Sequence, residues 1–259
     1  MTAFRPEGEL VLDEDFQDPA AFEERWIPHY LPQWSSRERS RARYRLDCGG
    51  LRLLIEADQQ PWAPEWDGPL RVSNLQTGVR SGPIGSSDGQ HRFRPDLVVR
   101  EEQAERWTFT PSGGAVAITC RANPDPRTMT ALWLIGVERI PEESAELCVM
   151  EVFGREVGPA RGLVGMGFHP FGDGRIADDF EKVPVTDDLT AVHEYAVEWG
   201  WNRARWYVDG VLVKESRQAP DYPLQLMLDV FEFEPDPAAE YPKEFAVERV
   251  RAWAPVSSR

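Results

Sequence analysis

Short runs of β-branched and aromatic residues recur along this chain: GLRLLIEA (50–57), AVAITCRA (115–122), TALWLIGV (130–137), ELCVMEVF (146–153), EYAVEW (194–199), ARWYVDGVLVKE (204–215), PLQLMLDVFEFE (223–234) and FAVERVRAWA (245–254). Runs this short, with Phe245, Val247 and Arg249 alternating against Ala246, Glu248 and Val250, read as strands. So many strands fit an all-β, two-sheet antiparallel β-sandwich, and 259 residues fit one such domain over 1–259. Asp209-Gly210, between WYV and VLV, is a two-residue hairpin signal. Helical candidates are few: PAAFEERW (19–26) and EEQAERW (101–107), both short and weakly periodic. Proline and glycine punctuate 61–69, 78–89, 154–174 and 235–242, so long connections are expected there, where binding surfaces are usually built.

Composition narrows the function. Hydrophobic residues make up 41% of the chain, with 10 Trp and 12 Phe, too apolar a content for disorder. A net charge of −15 disfavours nucleic acid as the main partner, because phosphate backbones are gripped by Lys and Arg. The opening MTAFRPEGELVLDEDF has no basic segment followed by an apolar one, and no apolar stretch reaches about 18 residues. A cytoplasmic chain with no membrane partner is the expectation, or a secreted one if a signal has been removed. Cys48, Cys120 and Cys148 are odd in number and lack CxxC pairing, which reads as buried free thiols.

The stretch AELCVMEVFG (145–154) sets Glu146 and Glu151 five apart in an apolar run. Side chains alternate along a strand, so odd spacing sends the two to opposite faces unless a β-bulge absorbs one residue. The alternatives are therefore a shared acidic site and an ordinary strand in which one glutamate points away from the other.

Glu146-Leu-Cys-Val-Met-Glu151 resembles the E-[I/L]-D-x-x-E signature of glycoside hydrolase family 16, whose fold is a concanavalin A-like jelly roll. The flanking order is also similar: LVLDEDF (10–16), GLRLLIE (50–56), TGVRS (77–81), TALWL (130–134), PLQLMLDV (223–230) and VERVRAW (247–253). HEYAVEWGWNRARWYVDGVLV (193–213) is close to the family's FHxYAxEW…IxWYVDGxxV pattern. The resemblance implies a bulge that turns both carboxyls to one cleft, with Glu146 as nucleophile and Glu151 as general acid/base. It further implies retaining hydrolysis or transglycosylation of an internal β-linkage in a polysaccharide or oligosaccharide, the expected substrate being a β-1,3- or mixed-linked glucan. No cofactor is implied. The signature's middle Asp is Cys148 here, which replaces a carboxyl group by a weak hydrogen-bonding thiol. A carbohydrate-binding protein with weak or lost catalysis is the alternative that this change leaves open.

Other residues take their expected roles from the same resemblance. Trp133 occupies the last Trp of a WPAFW-like stretch and is expected to bind sugar, while the first Trp of that stretch is Met129. His169 falls on the strand neighbouring the catalytic one and is a second sugar-binding candidate, and Cys148 is a third. Trp34, Trp62, Trp66 and Asn74 are candidates for the cleft rim, and Trp199 and Trp206 for the core. Some members hold a structural calcium with a carboxylate at the position of Glu248, a metal left unassigned here. Arg37, Arg39, Arg41, Arg43 and Arg45 recur every second residue. If extended, they form either a charged edge strand or a guanidinium row for an acidic glycan.

Overall fold

The computed structural model describes residues 3–256. In chain order the strands are β1 (Leu10–Glu14), β2 (Arg43–Asp47), β3 (Gly50–Ile55), β4 (Arg71–Gln76), β5 (Gly78–Val79), β6 (Arg106–Trp107), β7 (Gly114–Arg121) and β8 (Thr128–Gly136). They continue as β9 (Glu146–Phe153), β10 (Gly162–His169), β11 (Glu181–Val185), β12 (His193–Gly200), β13 (Arg203–Val208), β14 (Val211–Ser216), β15 (Leu224–Glu232) and β16 (Lys243–Trp253). An eight-stranded sheet has the order β14-β13-β12-β7-β16-β3-β2, with β1 also on β16. A six-stranded sheet has the order β11-β10-β9-β8-β15-β4, and β5 pairs with β6. Pairing is antiparallel throughout, giving the expected sandwich.

Alternation divides the faces. On β8, Leu132 and Leu134 enter the core between the sheets, while Ala131, Trp133 and Ile135 face outward into a second apolar cluster. Strand β9 breaks this rule once. Leu147, Val149, Met150 and Val152 all lie in the inter-sheet core, and the successive pair Val149 and Met150 requires one extra residue. The register agrees: Trp133 pairs with Cys148 and Leu132 with Met150, while on the other side Gly167 pairs with Cys148 and Gly165 with Glu151.

A bulge displaces a carbonyl from the ladder, and a buried carbonyl needs a partner. The Trp206 indole N–H, reaching from β13 in the opposite sheet, donates to the Cys148 carbonyl at 2.8 Å. Trp206 is fully buried and meets Phe168 edge-on at 5.4 Å. Opposite the bulge, Gly167 has a φ of +136°, and a Cβ there would come within 2.7 Å of the Asp179 carbonyl oxygen.

Helix α1 (Pro19–Arg25) forms where expected, capped by the Asp18 side chain. The stretch 101–107 is not helical: Gln103 N–H donates to Ser81 Oγ and Arg106 pairs with Val79, so cross-chain bonding overrides a weak helical preference. A short helix α2 (Pro64–Asp67) appears inside a predicted loop, and the predicted connection 154–174 contains β10. Asp209 and Gly210 have φ of 48° and 76° and turn β13 into β14 as predicted.

The arginines do not form one extended row. Arg37 and Arg39 lie in a turn, Arg41 bridges to His29, and Arg43 and Arg45 lie on β2 at the sheet edge. Most are engaged: Arg37 with Gln103, Arg39 with Glu65 at 3.5 Å, Arg43 with Glu56 and Asp58, Arg45 with Glu244 at 3.6 Å. Arg39, Arg41 and Arg43 still share the wall of a recess of about 610 Å³.

Replacing Trp206 by Phe keeps an aromatic ring but orphans the Cys148 carbonyl. The expected loss is about 1–3 kcal/mol of folding stability, read as a lower urea midpoint at unchanged slope.

Candidate active site

Glu146, Cys148 and Glu151 emerge from β9 on the outward face of the six-stranded sheet, brought together by the bulge. The Cys148 S–H group lies 2.9 Å from Glu146 Oε1 and 3.4 Å from Glu151 Oε1, between the two carboxyls. Glu146 is 7% exposed, Cys148 is fully buried and Glu151 is half-buried.

Neighbouring strands complete the surroundings. His169 on β10 pairs with Glu146 across the ladder. Its Nδ1 lies 3.2 Å from Asp178 Oδ2, and its ring stacks on Phe180 at 4.7 Å. On β8, Trp133 donates its indole N–H to Asp229 Oδ2 at 2.8 Å. Asp229 lies on β15, fully buried, and its Oδ1 has no hydrogen-bond partner among the described residues. A Cβ on Gly165, opposite Glu151, would strike the Phe180 ring at 2.3 Å, so glycine there lets that ring pack beside the Glu151 side chain.

Loops cover the rest of the outward face. Tyr30, Trp34, Trp62, Leu97 and Val99 pack with Trp133, Met227 and Phe231 in the second apolar cluster. Trp34, Trp62 and Asn74 are fully buried, which corrects their assignment to an open rim; the rings pack under the loops, and Asn74 donates to the His29 carbonyl at 2.9 Å. Trp66 is half-buried, with the Arg100 guanidinium 4.7 Å from its ring centre. Trp133 is 5% exposed and lies against His91 at 5.3 Å, so its ring is not an open platform. Trp199 and Trp206 are core residues, as expected. Cys120 and Cys148 are buried free thiols, whereas Cys48 is exposed in the turn between β2 and β3. Glu248, the carboxylate at the calcium position, pairs with Arg121 at 2.9 Å.

Burial dominates the electrostatics. Glu146 is pushed up to about 8, first by burial, then by the charge of Glu151, against a lowering contribution from the Cys148 S–H. Burial also raises Glu151, with Cys148 and His169 opposing, and it raises Asp229 well above the carboxylate range. Burial holds His91 down at about 4, hence neutral, while Glu138, which accepts the His91 backbone N–H at 2.6 Å, is lifted to about 7. Asp229, His91, Glu138 and Asp178 were missed by sequence reasoning. Asp229 carried a usable signal, a lone acid within LQLMLDVFE; the others lie in loops that no periodicity marks.

Residues 108–232 match the model of the glycosyl hydrolases family 16, a span that holds both glutamates, Trp133, His169 and Asp229. Over this span the chain is a match to glycoside hydrolase family 16. No curated protein matches the chain. Among solved structures, it is similar to the GlcNAcα1-4Gal-releasing endo-β-galactosidase from Clostridium perfringens, with TM-score 0.81 and 24% identity. That match covers 98% of this chain but only 64% of the other. It is also similar to a laminarinase from Flavobacterium sp. UMI-01, with TM-score 0.61 and 13% identity over 95% of this chain and 100% of that one. A β-glucanase from Bacillus licheniformis gives TM-score 0.61 and 14% identity over 96% and 100%. At these identities the likenesses establish the jelly-roll fold of the chain.

A carboxyl whose value is raised on folding favours the folded state below its ordinary range, and that contribution is lost as pH rises through the raised value. Glu146→Gln removes the buried charge, so the variant is expected to gain roughly 1–3 kcal/mol over the native chain at pH 9 and to differ little at pH 4. Thermal melts at the two pH values measure the contrast.

Proposed function

We propose that this chain is a retaining endo-β-glycosidase in which Glu146 attacks the anomeric carbon and Glu151 acts as acid, then as base. One observation carries the reading. A single sulfur lies 2.9 and 3.4 Å from one oxygen of each glutamate, so those oxygens are at most about 6.3 Å apart. Retaining pairs are about 5–5.5 Å apart, while inverting pairs need about 6.5–9.5 Å to admit a water.

In the first half-reaction Glu151 gives its proton to the glycosidic oxygen as Glu146 forms an ester to the sugar. In the second, Glu151 takes a proton from water, which displaces Glu146; a sugar hydroxyl in place of water gives transglycosylation. The resting electrostatics run against these roles, because burial favours the proton on Glu146. A pair this close titrates as a unit, and positive charge developing at the anomeric carbon favours ionised Glu146 in the transition state. The proton then resides on Glu151, the more exposed of the two and the one facing the departing oxygen.

For substrate we propose a galactose-containing chain cleaved at a β-galactosidic bond. In support, the likeness to the endo-β-galactosidase is greater than that to the laminarinase or the β-glucanase, at TM-scores of 0.81 against 0.61. Met129, in place of the first Trp of the glucanase-like stretch, packs with the outer apolar cluster and offers no ring. The glucan reading is the second, favoured by the laminarinase and β-glucanase likenesses.

Azide rescue separates the roles. With an activated aryl glycoside, Glu151→Ala is expected to lower kcat by about 10²–10⁴-fold, because the water step loses its base, and to yield β-glycosyl azide, because Glu146 still forms the ester. Glu146→Ala is expected to yield the α-azide. Product stereochemistry by NMR decides, and unchanged hydrolysis by either variant refutes the pair. Reducing-end release from galactan but not laminarin is the expected specificity; the opposite pattern selects the glucan reading.

A further inference from the structure

Cys148 places a soft ligand where the family signature has a hard one, and what surrounds it forms more than a lone thiol. One ligating atom each from Glu146, Cys148 and His169 lies within 4.8 Å of the others. The three come from adjacent strands at fixed register, with His169 opposite Glu146 and Gly167 opposite Cys148. His169 is oriented by Asp178 at its Nδ1, which leaves Nε2 as the free ring nitrogen. A carboxylate holding the distal nitrogen of a ligating imidazole is the usual support of a histidine–metal bond. Glu151 Oε1, 3.4 Å from the sulfur, supplies a fourth donor.

We propose that Glu146, Cys148 and His169 form a zinc site, with Glu151 as its fourth ligand, through which Zn²⁺ reversibly blocks the catalytic pair. Thiolate, imidazole and carboxylate together select Zn²⁺ over Mg²⁺ or Ca²⁺, which prefer oxygen donors alone. With bonds of about 2.0–2.3 Å in a tetrahedron, ligand atoms sit roughly 3.3–3.7 Å apart. Closing from 4.8 Å therefore takes small side-chain rotations of Glu146 and His169. On binding, the Cys148 S–H bond breaks, its proton leaves to solvent, and a sulfur–zinc bond forms; no electron is transferred. Two positive charges also offset the crowding of Glu146, Glu151 and the new thiolate.

Blockade rests on the catalytic reading, because zinc would occupy the oxygens that attack and protonate. Binding does not, and the two are measured separately. Equilibrium dialysis of the full chain against Zn²⁺ is expected to give one ion per chain, and Co²⁺ in its place is expected to show a near-ultraviolet thiolate-to-cobalt charge-transfer band. Cys148→Ser should abolish the band and weaken Zn²⁺ at least 100-fold. His169→Gln, at a half-exposed position that does not threaten folding, should weaken it at least tenfold while keeping the band. Unaltered affinity in both variants, or cobalt binding without a thiolate band, overturns the site. If binding is as expected but hydrolysis is indifferent to zinc and to chelator, the site stands and the catalytic assignment fails.

Discussion

The hydrogen bond from the Trp206 indole to the Cys148 carbonyl ties the packing of the two sheets to the geometry of the carboxyls. Strand β9 lies inside the six-stranded sheet, between β10 and β8, so a carbonyl pushed out of its ladder cannot turn to water. Its partner must come from below. Trp206 supplies that donor from β13, and its ring fills the space between Phe168 and the rest of the core. Without the extra residue, Glu151 would point into the inter-sheet core and Met150 outward. The bulge is therefore the condition for a shared site, and inter-sheet packing is the condition for the bulge.

Three carboxyls facing one another out of water are costly unless some are neutral. The surrounding structure arranges that neutrality through burial. Loops 27–41, 61–70 and 80–103 lie over the β8, β15 and β4 half of the outward face and leave Glu151 and His169 at the margin. Those loops are anchored by polar bonds to the sheet: Gln90 donates to Gln225 at 2.7 Å, and Gln33 and Trp34 both donate to the Gln90 carbonyl. Strain gathers here as well. His91 and Glu138, which meet at the site's edge, both hold positive φ, at 51° and 52°, a conformation that costs a non-glycine residue about 1–3 kcal/mol. The acidic constellation is thus maintained against its own repulsion by the packing of the shell around it.

How much of this was legible depended on whether local pattern and tertiary role agreed. Strands β7, β8, β12 and β15 announced themselves, because residues buried between two sheets are apolar at regular spacing. Strand β10 did not: Gly162, Gly165 and Gly167 read as loop punctuation, yet two of them face the bulge and clear room for Phe180 and Glu151. Strand β11, EKVPV, carries a proline tolerated because it lies at a sheet edge. The acidic pair was legible because charge inside an apolar run demands an explanation. Its burial was not, since it depends on loops whose path only tertiary contacts fix. Trp34 and Trp62 were misplaced for that reason: aromatic residues in a loop look like a binding surface until the loop is seen to fold down onto the sheet.

Cys148 is the point at which these constraints meet. An aspartate there would add a fourth carboxyl to Glu146, Glu151 and Asp229, in a pocket where burial already drives carboxyls toward the neutral form. A thiol of similar reach carries no charge, because burial and the two glutamates push it well above its ordinary value. It still gives the nearer glutamate a proton to lean on, at 2.9 Å. The substitution therefore eases the electrostatic load on the fold while weakening control of the proton that Glu146, in the role proposed for it, would lose before attack. On the proposed mechanism, what a carboxyl would have done through a strong shared hydrogen bond falls to the substrate, whose developing positive charge would favour the ionised form of Glu146.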